Sequence, residues 1–60
     1  MYIKVTDAEN GNLVYVNTDK IIGFYSAGAD THLRIGNTCY LTVKESPESI
    51  MSLMLENARE

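Results

Sequence analysis

The chain has one cysteine, one histidine, one proline, one phenylalanine and no tryptophan. With Cys39 alone, no disulfide can form within the chain. A lone thiol without a disulfide framework points to a reducing compartment, the cytoplasm. His32 has no second histidine and no CxxC pair to work with, so zinc spacing is absent and neither a metal nor a cofactor is expected. Basic residues are also scarce. Five stand against eight acidic ones, a net charge of −3, which weighs against non-specific nucleic-acid binding. No run approaches the ~20 apolar residues needed to cross a bilayer, so no membrane partner is expected. The opening stretch MYIKVTDAEN lacks the basic-then-apolar order of a signal peptide.

These absences matter because the chain is short. Sixty residues make one domain, 1–60, with room for only a small core. Folds of this size lean on disulfides, a metal or association with another chain. With the first two set aside, self-association is the expected staple.

What is present is alternation. In YIKVT, Ile3 and Val5 fall on one face and Tyr2, Lys4 and Thr6 on the other, the period of a half-buried strand. Asn10-Gly11 follows, a dipeptide suited to a type I′ hairpin, and LVYV is the partner strand. Asn17 and Asp19 interrupt the run, since both can form Asx-turns. KIIGFYS resumes as a third strand, AGAD is a loop, and THLRI and TCYLTV are the fourth and fifth strands. Gly36-Asn37 between them has the glycine-first order of a type II′ hairpin.

At VKESPESI the period changes. Ser46 suits an N-cap, Pro47 the first helical position, and Glu48 the positive end of the helix dipole. A helix is predicted from Pro47 to about Ala58. The fold class is therefore α+β, an antiparallel β-meander of about five short strands with one C-terminal helix packed on one face. The covered face should carry Ile3, Val5, Val14, Val16, Ile22, Phe24, Leu33, Ile35, Leu41 and Val43, with Cys39 pointing the same way. The apolar arc of the helix spans about 200°, wider than the roughly 100° stripe one sheet needs. Ile50, Leu53 and Met54 suffice for the sheet. Met51, Leu55 and Ala58 lie to one flank, either wrapped by the sheet or forming a subunit interface.

The opposite sheet face should display Tyr2, Lys4, Thr6, Tyr15, Tyr25, His32, Arg34, Thr38, Tyr40, Thr42 and Lys44, with no acid on any strand. Tyr2, Lys4, Tyr15, Tyr25, Arg34 and Tyr40 are the candidate residues for a ligand or partner, because tyrosine with arginine suits stacking and anion contacts. The bland alternative is a solvated or oligomer-buried face, since tyrosine and threonine favour strands anyway.

Along VYVNTDKI and THLRIGNTCYLTVKESPESI the chain resembles the FlbD-like family, small bacterial proteins named for flagellar and swarming-motility gene neighbourhoods. Gly11, Tyr15, Asn17, Asp19, Ile21, Thr31, Leu33, Gly36, Tyr40, Val43, Glu45, Ser46 and Ile50 match that pattern in order. The likeness covers about residues 2–55. It departs at Gly36-Asn37, where the family has the reverse order, and in the AGAD loop. The resemblance implies a small interaction protein and carries over no catalytic residues. The strand-and-helix order also resembles part of LytTR-type DNA-binding domains, which are longer and more basic. In composition the chain is similar to small phage-encoded inhibitors.

No catalytic constellation is present. Ser26, Asp30 and His32 lack the context of a nucleophile, and the glycines have no phosphate-loop spacing. Glu45 and Glu48 at a helix start read as dipole complement and solvated face. Three functions stay open: a non-enzymatic oligomeric module that binds a protein, a nucleotide or nucleic-acid binder using the tyrosine face, and a sequestering inhibitor.

Overall fold

The computed structural model describes residues 1–37 and 39–58, the side chains of positions 57 and 58 excepted. Thr38 and the side chain of Ala58, both named above, lie outside the described residues. Five antiparallel strands precede one helix: β1 (Tyr2–Thr6), β2 (Leu13–Asn17), β3 (Ile21–Ala27), β4 (Asp30–Ile35), β5 (Cys39–Val43) and α1 (Pro47–Ala58). The architecture is the α+β arrangement expected, with strands and helix in the predicted order.

The strands divide into two sheets, a β1-β2 hairpin and a β3-β4-β5 meander. The break falls between β2 and β3. There Asn17 Oδ1 accepts the Asp19 N–H at 3.0 Å and caps a short 3-10 turn over Thr18–Lys20, in place of a tight hairpin. The two sheets meet where β1 ends. Asp7 bridges to Val43, the Lys44 N–H donates to the Thr6 carbonyl at 2.9 Å, and the Ala8 N–H donates to the Thr42 carbonyl at 2.9 Å. The last strand thus returns to the first.

The core is Ile3, Val5, Val16, Leu33, Val43 and Ile50, with Val14, Ile21, Phe24, Ile35, Leu41, Leu53 and Met54 packed around it. α1 lies over the inner faces against β1 and β3. Its start follows the predicted chemistry: the Ser46 hydroxyl accepts the Ser49 N–H at 3.1 Å, and the Ser46 carbonyl accepts the Ile50 N–H at 3.0 Å.

Five expectations need correction. Ile22 is 60% exposed, not inward. The β3-β4 register slips between Ile21 and Gly23, which is a bulge, so Ile21 turns to the core and Ile22 turns out. Cys39 is exposed. It alternates with Leu41 as expected, but it opens β5 opposite Ile35, at the end of the sheet beyond the buried cluster. The first hairpin is not type I′. Gly11 alone has positive φ, +75°, and the Gly11 N–H reaches the Asp7 carbonyl in a longer loop. Finally, a strand does carry an acid, since Asp30 opens β4 opposite Ala27. That pairing leaves Gly28-Ala29 as a two-residue turn with Gly28 at φ +65°, so the glycine-first hairpin expected at Gly36-Asn37 lies instead in AGAD, while the pairing of Ile35 with Cys39 leaves more than two positions for the β4-β5 connection.

Candidate functional surfaces

The tyrosine face is split by the two sheets. On the hairpin, Lys4 pairs with Tyr15 and Tyr2 with Asn17. On the meander, Tyr25 pairs with His32, Gly23 with Arg34, and Arg34 in turn with Tyr40. All four tyrosines are exposed, between 53% and 68%. Arg34 and Lys4 are exposed as well.

His32 organises the meander's group. Its Nδ1 is 3.1 Å from the Tyr25 hydroxyl, and the two rings meet edge-to-face with centroids 5.3 Å apart. The Tyr40 ring stacks on the other side at 4.9 Å. Cross-strand pairing places Tyr25, and the diagonal neighbour on β5 is within reach of an aromatic ring. The result is an aromatic plate held partly by its own contacts, with Arg34 beside Tyr40. Next to it the outer face is bare at Gly23, where an added Cβ would meet nothing within 4 Å. Such a plate can stack a planar group and offer a guanidinium to an anion. His32 was not among the candidate residues, although its alternation with Arg34 placed it on that face. What the sequence does not carry is the cross-strand register that sets it between two tyrosines.

The second surface is the helix flank. Met51 is 49% exposed and Leu55 59% exposed, while Ile50 is fully buried and Leu53 and Met54 are half-buried. The sheets therefore do not wrap the whole apolar arc within one chain. The arc is left with an open side at Met51 and Leu55.

The third surface was not anticipated. A cavity of about 460 Å³ runs along the other flank of α1, lined by Lys4, Glu45, Glu48, Ser49, Ser52, Leu53 and Glu56. Glu45 anchors its end. One carboxylate oxygen accepts the Thr6 N–H at 2.8 Å and the other accepts the Thr6 hydroxyl at 2.9 Å. The Glu45 carbonyl accepts the hydroxyl of fully buried Thr31 at 2.7 Å. Lys4 is thus shared between the tyrosine face and this groove.

Among the described residues, no group of three or more histidine, cysteine or acidic side chains is placed to hold a metal ion. Among them too, no helix is long and apolar enough to cross a membrane. Asn17, Thr31, Glu45, Ser46 and Ile50 each carry part of the fold here, as turn, clamp, cap or core. They speak for architecture and not for an activity. No protein-family model, curated protein or solved structure matches this chain.

Proposed function

We propose that the chain is a non-enzymatic interaction module, FlbD-like in kind, that works in the cytoplasm as a homo-oligomer and binds a cellular protein. The observation that supports it is the exposure of Met51 and Leu55 on a helix whose core-facing positions are already filled. Fully burying one such side chain yields roughly 1.5–3 kcal/mol, a large share of what a domain of this size retains. A symmetric dimer is the simplest arrangement, because closed two-fold pairing is the commonest. The two flanks would face each other across the axis, with Ala58 at the end of the same stripe.

Sedimentation of the wild type from low to high micromolar concentration tests it. The expected result is a concentration-dependent shift toward dimer. Met51→Glu should move that shift to higher concentration and lower the thermal midpoint most at high protein concentration. A folded monomer throughout the range overturns the reading.

The Tyr25–His32–Tyr40 plate with Arg34 favours a second reading, binding of a nucleotide or single-stranded nucleic acid by stacking. The acidic balance of the chain opposes it, and the acids lie largely off that face. Tyr40→Ala should weaken binding of a fluorescent oligonucleotide by ~1–3 kcal/mol while the fold persists. Binding that is unchanged in both Tyr40→Ala and Arg34→Ala removes this face from the nucleic-acid reading.

A further inference from the structure

The groove between β1 and α1 combines a free strand edge with an acidic wall. In the β1-β2 hairpin, Asp7 bonds to Asn12 and Met1 to Thr18 through main-chain groups. Antiparallel pairing alternates, so Val5 and Ile3 turn their N–H and C=O groups toward β2, while Thr6, Lys4 and Tyr2 turn theirs away from it. Thr6 shows that this side accepts partners. Its carbonyl takes the Lys44 N–H, and its N–H is taken by the Glu45 carboxylate from the groove side. Beyond Thr6, among the described residues, no strand pairs with β1 on that side. The main-chain groups of Lys4 and Tyr2 are next along the edge, and Lys4 lines the cavity.

The opposite wall is α1. Ser49, Ser52, Leu53 and Glu56 lie on the flank away from Met51 and Leu55, and Glu48 lies at the rim. Half-buried Leu53 supplies an apolar floor. Among the described residues, the charged groups around the cavity are Glu45, Glu48 and Glu56 against Lys4.

We propose that this groove binds an extended basic peptide, which adds to β1 as a further strand. Main-chain groups of Lys4 and Tyr2 would hold its backbone. Side chains on one face of that strand would turn toward α1, where lysine and arginine stems would lie along Leu53 and their charged heads would reach Glu48 and Glu56. Charge selects this occupant over a second copy of the chain. Two copies paired through this edge would bring their own acidic walls together, and the chain as a whole carries a net charge of −3. This site stands apart from the Met51 and Leu55 flank, so either can fail without the other.

The test is titration of the isotope-labelled protein with a short capped peptide that alternates valine with lysine and arginine. Amide shifts are followed by NMR. The expected result is saturable shifts at the Tyr2 and Lys4 amides, with slowed exchange of both. N-methylation of the peptide at alternate residues should weaken binding about tenfold in one frame and little in the other. Replacing the basic residues with glutamate should abolish binding. Glu56→Lys, on the flank away from Met51 and Leu55, should weaken it several-fold while leaving sedimentation unchanged. The proposal is overturned if those amides do not respond, if both methylation frames bind alike, or if shifts centre on another strand edge. It is equally overturned if the Lys4 amide is protected in the free protein and loses protection on dilution, which would assign the edge to a second copy.

Discussion

Replacing Glu45 by alanine would weaken the junction between the two sheets. The Glu45 carboxylate makes two hydrogen bonds to Thr6, at 2.8 and 2.9 Å, and it is half-buried. Thr6 ends β1, whereas Glu45 follows β5, so the pair joins elements 39 residues apart in the chain. Hydrogen bonds to a charged group contribute ~1.5–3 kcal/mol, against about half that for neutral pairs. Glu45→Ala should therefore cost ~1.5–3 kcal/mol. A chain of this size has roughly 3–9 kcal/mol of stability in total. Each kcal/mol moves the midpoint of such a domain by ~4–8 °C, so a fall of roughly 6–24 °C is expected. The hydroxyl's share can be isolated with Thr6→Val. Urea denaturation of the wild type, both single variants and the double variant should yield a coupling of ~0.5–1.5 kcal/mol, because the double variant removes one shared bond only once. The carbonyl of Glu45, bonded to the Thr31 hydroxyl, is untouched by either change. A loss below ~0.5 kcal/mol in Glu45→Ala, or strict additivity, would refute the view that this carboxylate clamps the two sheets.

The glycines supply a paired contrast. Gly28 sits at φ +65°, where a side chain is strained, so Gly28→Ala should lose ~1–2 kcal/mol by chemical denaturation, while Gly23→Ala, with no positive φ and open space at its Cβ, should be neutral or gain up to ~1 kcal/mol. Equal effects at the two positions would contradict the turn geometry. Cys39 is exposed, so native protein should react with a thiol reagent stoichiometrically and without denaturant; protection until unfolding would place it back under the core.

Much of the candidate surface was legible in the sequence as a set of residues but not as a grouping. Period-2 alternation put Tyr25, Arg34 and Tyr40 outward, and they are outward. It could not show that Lys4 and Tyr15 belong to another sheet, since sheet membership depends on which strands pair. The groove was invisible for a related reason. Glu45 and Glu48 read locally as helix-start acids, and only the return of β5 to β1 makes Glu45 a partner of Thr6 and opens a cleft beside Lys4.

What the sequence determined by itself is what neighbours along the chain decide. Ser46, Pro47 and the change of period set the helix start, and the observed helix is Pro47–Ala58 as predicted. Asn17 set its turn, because the Asx bond reaches only two residues on. Gly11 and Gly36 took the left-handed φ that glycine permits. The tertiary structure decided everything that rests on contacts across the chain. It chose the bulge that turned Ile22 out, because β3 had to hold register with β4 while Ile21 joined the core. It left Cys39 exposed, since alternation fixes which way a side chain points but not whether anything covers it. It divided five strands into two sheets, because a capped 3-10 turn after β2 ends that ladder, and hydrogen bonds from β5 back to β1 join the sheets at the other end.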